Sequence, residues 1–265
     1  MVIGILLAAA LPLHQFVCES VDRRIAAANP TNGLARFLNY TSGGPKDRFV
    51  PNPAFWAKGV DFSCASPWNS QSGSLRAGTL ISKRHIVFAH HFQLAVGTRI
   101  VFVGEDGGVC PCYVQATKAI GNTDIMIGAL NAEVTPNIHP AKLLTMDFQP
   151  YLGEGVGLPV VTLNREEKAF VTELWLLPRH GSPSGPRNHN PTGKLRQSFR
   201  EDIKVGDSGN PAFLIVGNEP ILLYCLKLGG YGAGPWLHFY LDKIQATMDE
   251  LCPGYKLETF DFSKL

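Results

Sequence analysis

Three short stretches carry the residue types that acyl transfer needs. The first is Val205-Gly206-Asp207-Ser208-Gly209-Asn210-Pro211. A serine flanked by small residues on a tight turn exposes its hydroxyl and leaves backbone N–H groups free to converge. These supply a nucleophile and the donors that a developing oxyanion requires. The N–H groups of Gly206 and Ser208 are the candidate donors, and Gly206 admits a backbone conformation that residues with a side chain rarely adopt. The turn differs from the nucleophile elbow of α/β-hydrolases, because Asn210 stands where that motif has glycine. On its own, a GDSG turn fits an ordinary structural loop equally well.

The second stretch, residues 78–92, reads GTLISKRHIVFAHHF: a strand, a short turn and a second apolar strand that delivers a histidine at its end. The third, Asn122-Thr123-Asp124-Ile125-Met126-Ile127, sets one carboxylate at the head of an apolar strand. Buried beside an imidazole, such an aspartate fixes the tautomer and favours the imidazolium formed during catalysis. Singly, these are a core histidine and a loop-closing aspartate. In the order His, Asp, Ser they form a constellation.

The elements that must position these groups are short strands. Runs near 78–82, 86–89, 99–104, 112–120 and 125–130 form one group, with Asp106-Gly107-Gly108 as a hairpin turn. A second group is read near 156–163, 169–177, 211–216, 221–228 and 237–240, after a Pro-containing connection at 135–150. A helix follows over about 242–252, with Asp242 as cap, apolar Ile244, Met248 and Leu251 on one face, and Pro253-Gly254 as stop. Two β-groups and one terminal helix imply two packed barrels and no parallel sheet. The polar stretch 178–192 (PRHGSPSGPRNHNPT) reads as a surface loop that either borders a cleft or is merely flexible.

With these motifs in place, the chain resembles the trypsin/chymotrypsin-like serine peptidase family over roughly residues 56–252. LISKRHIVFAHHF is similar to that family's strand into the catalytic histidine, NTDIMIGAL to its aspartate motif, and VGDSGNPAF to its serine motif. The resemblance implies an all-β fold of two packed antiparallel six-stranded barrels with a C-terminal helix. The first barrel would span about 56–140 and the second about 150–240. It also implies a triad of His91, Asp124 and Ser208, a protein or peptide substrate, and no cofactor. His91 is preferred over its neighbour His90 by ungapped alignment from Leu80-Ile81-Ser82, and in an extended strand the two would point to opposite faces. Asp202, six residues before Ser208, falls where trypsin-like members carry the carboxylate of a basic-residue pocket. The cysteines that flank that pocket are missing, and a surface aspartate is the competing reading. Phe92 replaces the usual cysteine after the histidine, no Ile-Val-Gly-Gly activation sequence is visible, and the partner of Asp207 is unassigned. A catalytically silent homologue that binds a protein partner is the alternative function.

Composition agrees with a packed domain and removes other classes. The 265 residues are 45% hydrophobic and 17% charged, enough for a core and unlike a disordered chain. A formal charge of +2 lacks the electrostatic footprint of a nucleic-acid binder. The apolar run 2–12 is shorter than the roughly 20 residues of a membrane span. It fits a signal segment within 1–18, with secreted or cell-envelope placement, or else a helix or strand packed on the body. Residues 19–55 read as an irregular leader ahead of the 56–265 domain. The six cysteines, Cys18, Cys64, Cys110, Cys112, Cys225 and Cys252, are scattered. A metal site using His85, His90, His91 and the Cys110/Cys112 pair lacks recognisable ligand spacing, so no metal is expected.

Overall fold

The computed structural model describes residues 3–41, 44, 46–70, 75–145, 157–174, 188–227 and 232–262, with side chains described from residue 14 onward. The chain is mostly β, in two sheets with a C-terminal helix. The first sheet has five strands: β1 (Thr79–Ser82), β2 (His85–Ala89), β3 (Arg99–Val103), β4 (Val109–Ala119) and β5 (Ile125–Leu130), in the order β1-β2-β5-β4-β3. Every pairing in it is antiparallel. β4 shows a half-buried alternation: Cys110, Cys112 and Val114 face the core, while Pro111, Tyr113 and Gln115 face out. β5 is buried along its whole length and pairs on both edges, as its unbroken apolar run requires.

The second sheet has seven strands. They are β6 (Lys142–Leu144), β7 (Leu158–Leu163), β8 (Ala169–Leu174), β9 (Asn188–His189), β10 (Pro211–Val216), β11 (Glu219–Cys225) and β12 (Thr259–Phe260). Their order is β12-β6-β11-β10-β7-β8-β9. Among the described residues the two sheets thus hold five and seven strands. The expectation of no parallel pairing is corrected, because β6 runs parallel to both β11 and β12. Neither β6 nor β12 was legible, since three- and two-residue strands carry no periodicity and gain their pairing from distant chain.

Among the described residues four helices complete the frame: α1 (Ile3–Ala26), α2 (Pro30–Gly33), α3 (Lys194–Ser198) and α4 (Leu241–Leu251). The N-terminal apolar run is helical and continues to Ala26, so residues 19–26 are not irregular. Val17, Val21 and Ile25, one helical face at i, i+4 and i+8, are fully buried. Burial of such a side chain stabilises by roughly 1.5–3 kcal/mol. Among the described residues no helix is long and apolar enough to cross a membrane. Leu237–Tyr240, expected as a strand, is a 3₁₀ turn that leads directly into α4. Asp242 lies in the first turn of α4, while Tyr240 occupies the cap position without a side-chain bond. This helix follows the second sheet in sequence but packs back on β4 and β5 of the first, burying Ile244 and Met248.

The two sheets share a core. Phe62 and Phe213 meet at 5.5 Å between ring centroids, and Phe55, Trp56 and Phe199 extend the aromatic contacts. A second cluster around Phe170, Tyr224, Trp236 and Phe262 takes in Val17 of α1. Residues 178–187, most of the polar loop read from composition, lie outside the described residues, as do Gly229 and Gly230.

Candidate active site

The antiparallel register of β2 and β5 brings the first two motifs together. Ala89 pairs with Ile125, so the residues just past each strand end, His90 and Asp124, must also be neighbours. His90 N–H donates to the Asp124 carbonyl at 3.1 Å. The chain then turns through a 3₁₀ segment, His90–Phe92, rather than continuing as an extended strand. Asp124 Oδ1 accepts the His91 backbone N–H at 2.8 Å, and Oδ2 lies 2.7 Å from His91 Nδ1. One carboxylate thus fixes both the turn and the ring. The Asp124 side chain is only 7% exposed, while that of His91 is 42% exposed.

The third motif arrives from the other sheet. Ser208 Oγ lies 2.9 Å from His91 Nε2. A carboxylate only accepts hydrogen bonds, so Nδ1 carries the proton of the neutral ring and Nε2 is left as the acceptor for the serine hydroxyl. His91, Asp124 and Ser208 therefore form one hydrogen-bonded row. His90 makes no side-chain bond to Ser208 or Asp124, although the reason given by an extended strand does not hold, because the two histidines sit on one 3₁₀ turn.

The loop into β10 is held by its own backbone and by a neighbouring turn. Gly206 and Gly209 have φ of +99° and +85°, the left-handed region that favours glycine. Gly209 N–H donates to Leu226 O at 2.8 Å, and Asn210 O accepts from Leu226 N–H at 2.8 Å, tying the loop to the end of β11. The N–H groups of Gly206 and Ser208 donate to no acceptor among the described residues. Such donors beside a nucleophile are what an oxyanion needs.

Asp207 is 1% exposed, and its carboxylate accepts N–H groups from Arg165 at 2.9 Å and Lys204 at 2.6 Å. Burial nevertheless raises its pKa above the usual carboxylate range, opposed by those two amides. Arg165 belongs to the β7–β8 turn. Its guanidinium donates to Val205 O at 2.7 Å, and a Cβ at position 206 would stand 2.9 Å from its Nη1. In the sequence Asp207 has no assigned partner and Arg165 belongs to no motif. The bond to Asp207 comes from a backbone amide 42 residues away, which no side-chain motif announces. Asn210 is buried and donates through Nδ2 to the Asp207 carbonyl at 3.0 Å.

Other candidates lie elsewhere. Among the described residues the Asp202 side chain is 70% exposed and ion-paired with Arg200. Its sequence neighbour Ile203 is the buried one, beside Gly232 and Leu226. His85 is fully buried between Ser82 Oγ at 2.8 Å and the Met248 carbonyl at 3.1 Å, and burial lowers its pKa. Cys110 and Cys112 are buried on one face of β4. The neighbouring Cys112 thiol pulls the Cys110 pKa down to about 6. Among the described residues no group of three or more His, Cys, Asp or Glu side chains is placed to hold a metal ion. All six cysteines are free thiols.

No protein-family model matches the chain, and no curated protein matches it.

Proposed function

We propose that the protein is a serine endopeptidase of trypsin-like architecture, acting through His91, Asp124 and Ser208 by way of an acyl-enzyme. The single observation that carries this reading is the continuous row from Asp124 Oδ2 through His91 to Ser208 Oγ, at 2.7 and 2.9 Å. His91 Nε2 takes the Ser208 proton as Oγ attacks the scissile carbonyl carbon. The imidazolium that forms is stabilised by Asp124, which stays ionised. The carbonyl oxygen becomes an oxyanion within reach of the Gly206 and Ser208 N–H groups. Collapse of the tetrahedral intermediate returns the proton from His91 to the leaving amine. Water, activated by the same imidazole, then hydrolyses the ester and frees Ser208.

Two β-barrels with the triad at their seam are the fold we propose for this activity. In support, the histidine and aspartate follow and precede strands of one sheet, whereas the serine enters a strand of the other. The buried Asp207, satisfied by backbone amides, supports a loop set without a new chain terminus. A peptide-library digest tests the activity: cleavage by the wild type that disappears in Ser208→Ala is expected. Binding of peptides without cleavage by either protein would favour a silent homologue.

A further inference from the structure

We propose that a second pocket, lined by Arg36, Lys58 and Glu105 over an aromatic wall, binds a small monocarboxylate with an apolar body. None of its lining residues belongs to the row of His91, Asp124 and Ser208 or to the Ser208 loop. The cavity holds about 310 Å³, at the small end of the range for ligand sites. Its wall is formed by Phe37, Phe55 and Phe62 with Val60, which suits a phenyl or branched aliphatic group.

The polar groups define the other end of the ligand. Arg36 is only 7% exposed, and its guanidinium packs 4.8 Å from the Phe37 ring centroid. Nη2 donates to Val103 O at 3.0 Å and Nη1 to Ala65 O at 3.4 Å, while the Nε–H has no acceptor among the described residues. The Nε–H is not one of the fully buried unmatched polar atoms, so a ligand acceptor can reach it. The carboxyl that faces Arg36, Glu167, stands 3.6 Å from Nη1. Burial pushes Glu167 up to about 7, so near neutral pH it offsets the guanidinium charge only in part.

Lys58 is exposed at the mouth and makes no ion pair among the described residues, and Glu105 is likewise exposed and unpaired. Asn52 also lines the cavity, but its amide is spent on Asn32 O, Ala35 O and Ala54 N–H. Among the lining residues two cations stand with one acid, while Glu167, which does not line the cavity, pairs with Arg36. Arg36 and Lys58 attract a single negative charge, and Glu105 disfavours a second, which selects a monocarboxylate over a phosphonate or dicarboxylate.

The probe is 3-phenylpropionate, titrated calorimetrically into full-length Ser208→Ala so that acyl chemistry plays no part. Saturable one-to-one binding is expected, weakened about tenfold or more for the isosteric 3-phenylpropionamide and for phenylphosphonate. Lys58→Glu, a substitution at an exposed position, should weaken 3-phenylpropionate by a similar factor of roughly ten. Backbone amide shifts should cluster at residues 36–37, 58–62 and 104–105. Equal affinity for the amide, indifference to Lys58→Glu, shifts centred on residues 206–208, or no saturation up to about 10 mM would each overturn the proposal.

Discussion

Asp124 accepts from both the backbone and the ring of His91, and this double contact dictates how its replacement should fail. Asparagine keeps the shape but can present its NH₂ to Nδ1, which selects the wrong tautomer. Asp124→Asn should therefore lower kcat by about 10⁴ with little change in melting temperature. His91→Ala should abolish cleavage, whereas His90→Ala should retain it within a few-fold; parallel rate measurements on the two variants check this. His91, the histidine to which the sequence motif points, is the one that joins the hydrogen-bonded row, but the supporting picture of alternating strand faces does not hold. A 3₁₀ turn begins at His90, and nothing in the pair His-His marks where the strand ends. Gly206→Ala meets two obstacles at once, a φ of +99° and the Arg165 guanidinium. Its kcat should fall by roughly 10²–10³, the loss typical of a displaced oxyanion donor. Two buried groups away from the row set opposite pH trends in stability. Burial lowers the His85 pKa, so the unfolded chain binds the proton more readily. The stability it contributes is complete above about pH 6.5 and is lost as pH falls toward its folded value. Glu167 is raised to about 7, so its contribution is present below the usual carboxylate pKa and is lost as pH climbs through about 7. Denaturant unfolding from pH 5 to 8 should show the acid-side loss diminished in His85→Gln and the alkaline-side loss diminished in Glu167→Gln.

The β2–β5 pairing is what makes the site legible among the elements. Two apolar runs, Ile86–Ala89 within β2 and Ile125–Leu130, were readable as strands, and their antiparallel pairing alone brings His90 beside Asp124. The loop before β10 was readable for a different reason, because glycine and serine in a fixed pattern demand a tight turn. The β7–β8 turn carried no such signal. Its Arg165 braces the Ser208 loop through one backbone amide and one guanidinium, and Tyr40 Oη–H donates to the Arg165 carbonyl at 2.9 Å. Asp207→Asn would turn an NH₂ toward at least one of the two N–H donors now satisfied by the carboxylate. It should cost about 1–3 kcal/mol in unfolding free energy and reduce kcat more than it raises KM. Unchanged kinetics in a folded variant would show that the loop holds its shape without that brace. The missed elements share one physical cause. β6, β9 and β12 are too short to show a period, and Leu237–Tyr240 has strand-like composition but is closed into a turn by the start of α4.

Across the whole molecule, two helices clamp the sheets from opposite ends of the chain sequence. α4 returns from the second sheet to cover β4 and β5, with His85 bonded to the Met248 carbonyl at its last turns. α1 packs on β7 and β10, and its Arg24 reaches Asn218 at the β10–β11 turn. Composition announced a dense apolar core and a turn-rich β chain. It was silent on how the strands divide between the two sheets, five and seven among the described residues, since that depends on which distant segments pair. The burial of Val21 predicts that Val21→Ala destabilises by about 1–3 kcal/mol, read as a lower denaturant midpoint at unchanged slope. If α1 contributed nothing to the body, that midpoint would stay put. The central claim is that Ser208 is a nucleophile activated by His91, and covalent labelling reads this directly. After incubation with a fluorophosphonate, peptide mass spectrometry should locate one phosphonyl group on Ser208 in the wild type, with labelling slowed at least about 10³-fold in His91→Ala. An adduct on another residue, or equal labelling of the His91 variant, would contradict the account.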